Sequence, residues 1–193
     1  RVVAYINSLD CGNSDICNTI EKEAIADEVP IIRKEMGNLL KVLLQLVQPE
    51  RILEVGTAVG YSSILMSENM PEKCTITTIE NYDKRIPVAR NNFKRAGKEN
   101  VITLIEGDAL EVLKTLEGPY DFIFMDAAKG QYINYLPDIK RVLRKGGLLI
   151  SDNILQEGEL VESRYAVTRR NRTIHTRIRE YVYELTHSKD FVT

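Results

Sequence analysis

From Arg33 to Val47 the apolar positions Met36, Leu39, Leu40, Leu43, Leu44 and Val47 recur three and four residues apart. That spacing predicts an amphipathic helix, and Pro49 ends it. Beyond Pro49 the pattern changes to short apolar runs separated by helical stretches. Arg51–Val55 reads as a strand, Ser62–Met70 as a helix stopped by Pro71, and Thr75–Ile79 as a β-branched strand. Lys84–Ala96 reads as a helix closed by Gly97, Val101–Ile105 as a strand, and Ala109–Leu116 as a helix before Gly118-Pro119. A strand at Tyr120–Met125, a helix around Tyr132–Leu143, a strand at Leu148–Ser151 and a long helix from Asn171 to His187 complete the series. Strands and helices alternating in this way predict an α/β fold with a doubly wound, mostly parallel sheet. The first thirty residues are polar and acidic and helical in places, an N-terminal extension on what reads as a single domain over residues 1–193.

Composition narrows the class. Hydrophobic residues at 44% and charged residues at 28% are globular values and exclude a disordered chain. The formal net charge of −2 gives no global attraction to nucleic acid or membrane. No apolar run approaches the ~20 residues that span a bilayer, so no membrane partner is expected. Cys11, Cys17 and Cys74 form no Cys-x-x-Cys pair, and there are two histidines. A disulfide scaffold and a Cys/His zinc site are therefore disfavoured, and a reducing, cytoplasmic location is expected. The chain starts without Met and stops inside an apparent strand at Phe191-Val192-Thr193, which leads us to expect a polypeptide that continues further.

In doubly wound sheets ligands bind beyond the carboxyl ends of the strands, so the residues just after each strand carry the chemistry. After the first comes Glu54-Val55-Gly56-Thr57-Ala58-Val59-Gly60-Tyr61-Ser62. Its glycines allow a tight turn and close backbone approach, and a helix N-terminus follows. Ala58 stands where the dinucleotide fingerprint has its second glycine, which argues against a nicotinamide-dependent oxidoreductase. Glu80 ends the second strand, twenty-four positions after Gly56, where an acid can accept both hydroxyls of a ribose. It reads equally as a solvated strand-end carboxylate. Asp108 is placed either to read an adenine amino group or simply to cap the helix that starts at Ala109. Asp126 closes the fourth strand and Asp152-Asn153 the fifth; on neighbouring strands these oxygens would converge on a hard cation such as Mg²⁺. Singly, each is also an ordinary turn residue. Lys129 follows Asp126 by three positions, so a turn could aim its amine at the same spot.

Together these segments resemble the cation-dependent S-adenosylmethionine O-methyltransferases, the family that contains the catechol and caffeoyl-CoA O-methyltransferases. The resemblance runs from about Pro30 to Asn153 and, more loosely, through the tail. It implies a Rossmann-like, class I methyltransferase sheet in the order 3-2-1-4-5, followed by an antiparallel pair built mostly beyond Thr193. It also implies roles. Glu54, Gly56 and Ser62 would line the methionine and ribose side of S-adenosylmethionine, with Glu80 on the ribose and Asp108 and Ala109 at the adenine. Ile32 would lie on the helix that covers the cofactor. Asp126, Asp152 and Asn153 would bind Mg²⁺ or another divalent cation, with Asp126 also near the methionine amino group. Lys129 would act as general base. Relatives usually homodimerise, so a homodimer is expected, with the N-terminal region at its contacts or at the substrate mouth. Two departures stand out: Ala127 replaces the aromatic or His that catechol enzymes usually carry after the first metal Asp, and the chain has no Trp.

Between Arg164 and Glu180 six arginines and His175 face one acid, in a chain of slightly negative charge. Charge runs of this kind are usually solvated faces. Arginine forks also suit phosphate oxygens, and this segment follows the metal loop closely. The segment resembles that of bacterial tRNA 5-hydroxyuridine methyltransferases, which would make Arg169, Arg170 and Arg172 contacts to a tRNA partner. A small catechol-like or phenolic substrate is the alternative acceptor. A non-catalytic RNA-binding module is a third reading, and it has no use for the metal residues.

Overall fold

The computed structural model describes residues 1–193, the side chain of Val3 excepted. Eight helices and five strands follow one another as α1 (Val2–Ser8), α2 (Asp15–Ala26), α3 (Lys34–Val47), β1 (Arg51–Val55), α4 (Tyr61–Asn69), β2 (Thr75–Glu80), α5 (Ile86–Arg95), β3 (Ile102–Glu106), α6 (Ala109–Thr115), β4 (Tyr120–Met125), α7 (Tyr132–Val142), β5 (Leu143–Ser151) and α8 (Arg172–His187). Two short 3-10 turns, Lys129–Gln131 and Gln156–Val161, precede α7 and α8. The strands are all parallel, in the order β3-β2-β1-β4-β5. This is the α/β fold and sheet order expected from the residues and the resemblance.

Both faces of the sheet are buried, and the two-residue period of a strand sends alternate side chains to opposite layers. Ile52 with Phe122 and Phe124 packs on one face, against Leu40, Leu44, Ile64 and Met66 of α3 and α4. Leu53, Val55, Ile123 and Met125 point to the other, against Tyr132, Ile139 and Val142 of α7 and Tyr181 of α8. Burying each such side chain stabilises the fold by about 1.5–3 kcal/mol. The N-terminal helices join the first layer, where Cys17 and Ile20 of α2 are fully buried.

Several boundaries differ from expectation, each for a local reason. Arg33 is not helical; it is the extended residue that starts α3, with φ −70° and ψ 157°. As a result Ile32 lies in the extended stretch before α3 and not on a helix, which corrects its expected position. The fifth strand begins five residues earlier than the apolar run suggests, because Leu143 already pairs with Tyr120. The chain then bulges, with Gly146 at φ +78°, before Leu148–Ser151 pair with Phe122–Met125. Arg144 in that bulge pairs with Asp121 at 2.9 Å. The other oxygen of Asp121 accepts the Glu50 and Arg51 N–H groups at 2.8 and 2.9 Å, which fixes the start of β1.

Candidate active site

All five strands end at one rim, and a cavity of about 460 Å³ opens there, lined by Ile32, Gly56, Ser62, Glu80, Ala109 and Asp126 among others. The turn after β1 forms its floor. The N–H groups of Gly56 and Thr57 both donate to the carbonyl of Ile79, at 3.1 and 3.2 Å, so the turn folds back onto the end of β2. Gly56 has φ +105°, and a Cβ there would sit 2.1 Å from the carbonyl oxygen of Asp126. The glycine is thus required by the close approach of β4. Ala58 adopts a left-handed φ of +48°, uncommon for a residue with a side chain.

Glu80 is held by backbone. Its Oε2 accepts from Ala58 N–H at 2.7 Å, and its Oε1 from Asn81 and Tyr82 N–H at 3.0 Å each. A carboxylate has about four acceptor sites, so Glu80 is aimed by three N–H groups and keeps about one site, on Oε2, for a ligand hydroxyl. Glu54 behaves differently. It is fully buried, on the α4 side of β1, and accepts hydrogen bonds from the hydroxyls of Ser62, Ser63 and Thr78. It lies behind the cavity wall, not on it, which corrects its expected role as a lining residue. Burial pushes its carboxyl up to about 7 despite those three donors, and the nearby charge of Asp126 adds to the rise. Asp108 is exposed and caps α6, its Oδ1 accepting from Leu110 N–H at 2.8 Å. Its neighbours Gly107 and Ala109 line the cavity, and Asp108 itself does not.

Asp126, Lys129, Asp152 and Asn153 come together as expected for neighbouring strands. Lys129 Nζ lies 2.6 Å from Asp126 Oδ1. Asp152 N–H donates to the carbonyl of Met125 at 2.9 Å, which holds the ends of β4 and β5 side by side. Burial, then the charge of Asp126, raises the Asp152 carboxyl above its ordinary range, and the ammonium of Lys129 opposes this. Two carboxylates, one of them bonded to the Lys129 ammonium, and the Asn153 amide make a donor set that fits a hard divalent cation. Among the described residues no group of three His, Cys, Asp or Glu side chains could hold a metal, so the amide is needed as third donor. A second cavity of about 450 Å³ opens on the far side of this cluster. It is walled by Pro30, Ile31, Met36 and Leu39 together with the charged Arg33 and Glu35, and reaches Asp126, Asp152 and Asn153. The two cavities share Pro30, Ile31, Asp126 and Asn153 in their walls.

The arginine segment is divided. Arg169 and Arg170 are exposed and make no hydrogen bond or ion pair among the described residues. Arg172 is half-buried, and its Nε donates to the carbonyl of Val167 at 3.3 Å, so part of its role is to hold the chain before α8. Arg177 ties α8 to the Lys129 turn through the carbonyl of Gly130, at 3.2 Å. Sequence reasoning missed Tyr132 and Tyr135. They look like ordinary apolar-face positions of α7, yet Tyr135 lines the first cavity and Tyr132 contacts Lys129. It also missed Asn92 of α5, buried, whose Nδ2 donates to the carbonyl of Val59 at 2.9 Å and steadies the glycine turn.

A parallel sheet in this order, with a glycine turn after β1 and a fixed acid after β2, is the architecture of a class I methyltransferase. The O-methyltransferase family profile matches residues 13–186, and the chain belongs to that family. It is 35% identical to a catechol O-methyltransferase of Niastella koreensis over 135 residues, 68% of this chain and 61% of that protein. The chain thus spans less than two thirds of that relative's length. It is 30% identical to a catechol O-methyltransferase of Mycobacterium tuberculosis over 163 residues, 83% of this chain and 74% of that protein. An O-methyltransferase from Bacillus cereus, solved in complex with SAH, superposes with a TM-score of 0.86 at 25% identity, covering 97% of this chain and 86% of that one.

Proposed function

We propose that this chain is a divalent-cation-dependent O-methyltransferase that moves a methyl group from S-adenosylmethionine to a hydroxyl of a small catechol-like or phenolic acceptor. The observation that carries the reading is the pair of cavities that share Asp126 and Asn153 in their walls. One contains the fixed acid Glu80; the other mixes apolar Pro30, Ile31, Met36 and Leu39 with Arg33 and Glu35 and reaches the proposed cation donors. When bound, S-adenosylmethionine supplies an electrophilic methyl and the cation stabilises negative charge on the acceptor oxygen. Glu80 would accept from the ribose, and Asp126, Asp152 and Asn153 would hold the cation. Lys129 Nζ, bonded to Asp126 and lining the first cavity, would take the hydroxyl proton once it is itself a neutral amine. Ile32, 6% exposed, closes the cavity and limits water there. Holding the two reactants in line is then the main catalytic task.

A second acceptor, 5-hydroxyuridine in tRNA, is favoured by Arg169 and Arg170, which stand exposed and without partners among the described residues. One experiment separates the two: labelled S-adenosylmethionine with Mg²⁺ and either a catechol panel or bulk tRNA, with and without excess EDTA. Label on catechols supports the first acceptor. Label on tRNA, lost together with salt-dependent tRNA binding when Arg169, Arg170 and Arg172 become Ala, supports the second. Full transfer in excess EDTA refutes the cation.

We further propose a cytoplasmic homodimer. The three cysteines are free, in keeping with a reducing compartment. No helix of the described residues is long and apolar enough to cross a membrane. Tyr5 and Ile6 on α1, Leu9 just after it, and Leu39, Val42 and Leu46 on α3 are exposed where the two helices pack together, apolar surface suited to a second copy. Light scattering should give twice the 22.0 kDa chain mass, and the chain mass itself would refute the dimer.

A further inference from the structure

The phenol of Tyr132 is fully buried at the start of α7, in a layer built mainly of aliphatic and aromatic side chains. Its oxygen nevertheless has three polar partners. It donates to the carbonyl of Met125 at 2.9 Å, and it accepts from the Ala127 N–H and from Lys129 Nζ, each at 3.2 Å. One proton and two lone pairs are all a phenol offers, so the group is saturated. The partners bracket Asp126 on both sides in the chain, and Lys129 is also bound to Asp126. A single oxygen therefore closes the loop that carries both groups. The ring is wedged edge-on against Tyr181, with centroids 5.6 Å apart at 70°. The Tyr181 hydroxyl is in turn 2.6 Å from Ser151 Oγ, the residue before Asp152.

We infer that Tyr132 is a positioning residue that sets where Lys129 Nζ and Asp126 stand relative to the acceptor hydroxyl; the inference rests on the methyltransferase reading above. Lysine ends a flexible four-carbon stem, and the Lys129 side chain remains 16% exposed. Asp126 alone gives its amine one anchor, about which it can swing. The phenol is a second anchor on a rigid ring, and two anchors define a position. Misplacement by ~1 Å at a reacting centre can cost ~100-fold in rate. A purely structural role is the competing account: the phenol would merely satisfy the backbone groups of Met125 and Ala127.

The full chain carrying Tyr132→Phe keeps the ring and loses only the oxygen. Tyr120→Phe is the matched control: Tyr120 is 2% exposed at the far end of β4, and its hydroxyl bonds only Thr77, at 3.4 Å. Four measurements are needed: melting temperature, S-adenosylmethionine Kd, Mn²⁺ binding by EPR, and kcat and KM with catechol or 5-hydroxyuridine, whichever the wild type accepts. In Tyr132→Phe we expect kcat to fall ~10- to 100-fold. Mn²⁺ affinity should weaken severalfold, while the S-adenosylmethionine Kd and acceptor KM stay within about twofold and the melting temperature matches that of Tyr120→Phe. A kcat within about threefold of wild type overturns the inference. So does a variant that fails to fold, or that loses melting temperature and every constant together, since the phenol is then structural. A wild-type protein that binds no Mn²⁺ and transfers no methyl group overturns the functional reading, and the inference falls with it.

Discussion

Replacing Glu54 with Gln should stabilise the protein at pH 8 and cost it up to about 1 kcal/mol at pH 5. The carboxyl ordinarily titrates near 4.5 and is pushed up to about 7 in the fold, chiefly by complete burial. Between those values the folded chain keeps a proton that the unfolded chain has released. Stability therefore falls by about 1.4 kcal/mol per pH unit as pH rises through that window. The whole window amounts to about 3 kcal/mol, and above it the native state carries a buried carboxylate. Glutamine does not titrate, so its stability lacks this fall. One adjustment reduces the gain. The side chain accepts from Ser62, Ser63 and Thr78, and an amide presents donors on one side. At least one hydroxyl must turn to accept, costing about 1 kcal/mol. The net gain at pH 8 should be about 2 kcal/mol. Urea unfolding of both proteins at pH 5, 6, 7 and 8 measures it, because other carboxylates titrate alike in both and cancel in the difference. Stability curves that run parallel across that range would refute the burial reading of Glu54.

Two further outcomes follow from the rim. Glu80→Gln should weaken S-adenosylmethionine binding by about 1–3 kcal/mol, since the amide pairs poorly with a hydroxyl donor and with the N–H groups of Ala58, Asn81 and Tyr82; calorimetry giving an unchanged Kd would remove Glu80 from the ribose. Gly56→Ala should destabilise the fold by more than about 2 kcal/mol, because the new Cβ meets the Asp126 carbonyl at a φ of +105°; a denaturation midpoint equal to wild type would disprove the contact.

The functional reading depends on neighbours in space more than on any one motif. Asp126 takes part in each component: its carbonyl packs on Gly56, its carboxylate binds Lys129, and it lines both cavities. Its charge also acts at a distance, raising the carboxyls of Glu54 and Asp152. Asp126→Asn would therefore perturb the turn after β1, Lys129 and the proposed cation donors together, and it is a poor choice for assigning any one of them. Glu80 is a better probe, since it acts on the cofactor side alone.

The sequence alone determines the alternation of strands and helices, because a two-residue or a 3.6-residue period is a local property of the chain. It also determines which residues follow each strand. That is why Glu80, Asp126, Lys129, Asp152 and Asn153 could be named as site candidates before any contact was known. Tertiary structure decided what each does. Glu54 and Glu80 are both acids near strand ends, yet one is sealed beneath α4 and the other is aimed by three backbone N–H groups. Both point to the same face of the sheet, since Glu54 pairs with Thr78 and Glu80 lies two residues beyond it; the difference lies in how far along its strand each stands and what packs there, which a period does not carry. Ile32 reached its cavity from an extended segment because the helix begins only at Lys34. Tyr132 was hidden among the apolar positions of α7, since its role depends on Met125, Ala127 and Lys129 folding back around one oxygen. The wall that two cavities share at Pro30, Ile31, Asp126 and Asn153 likewise exists only once β4 and β5 lie side by side and the segment before α3 packs beside their ends.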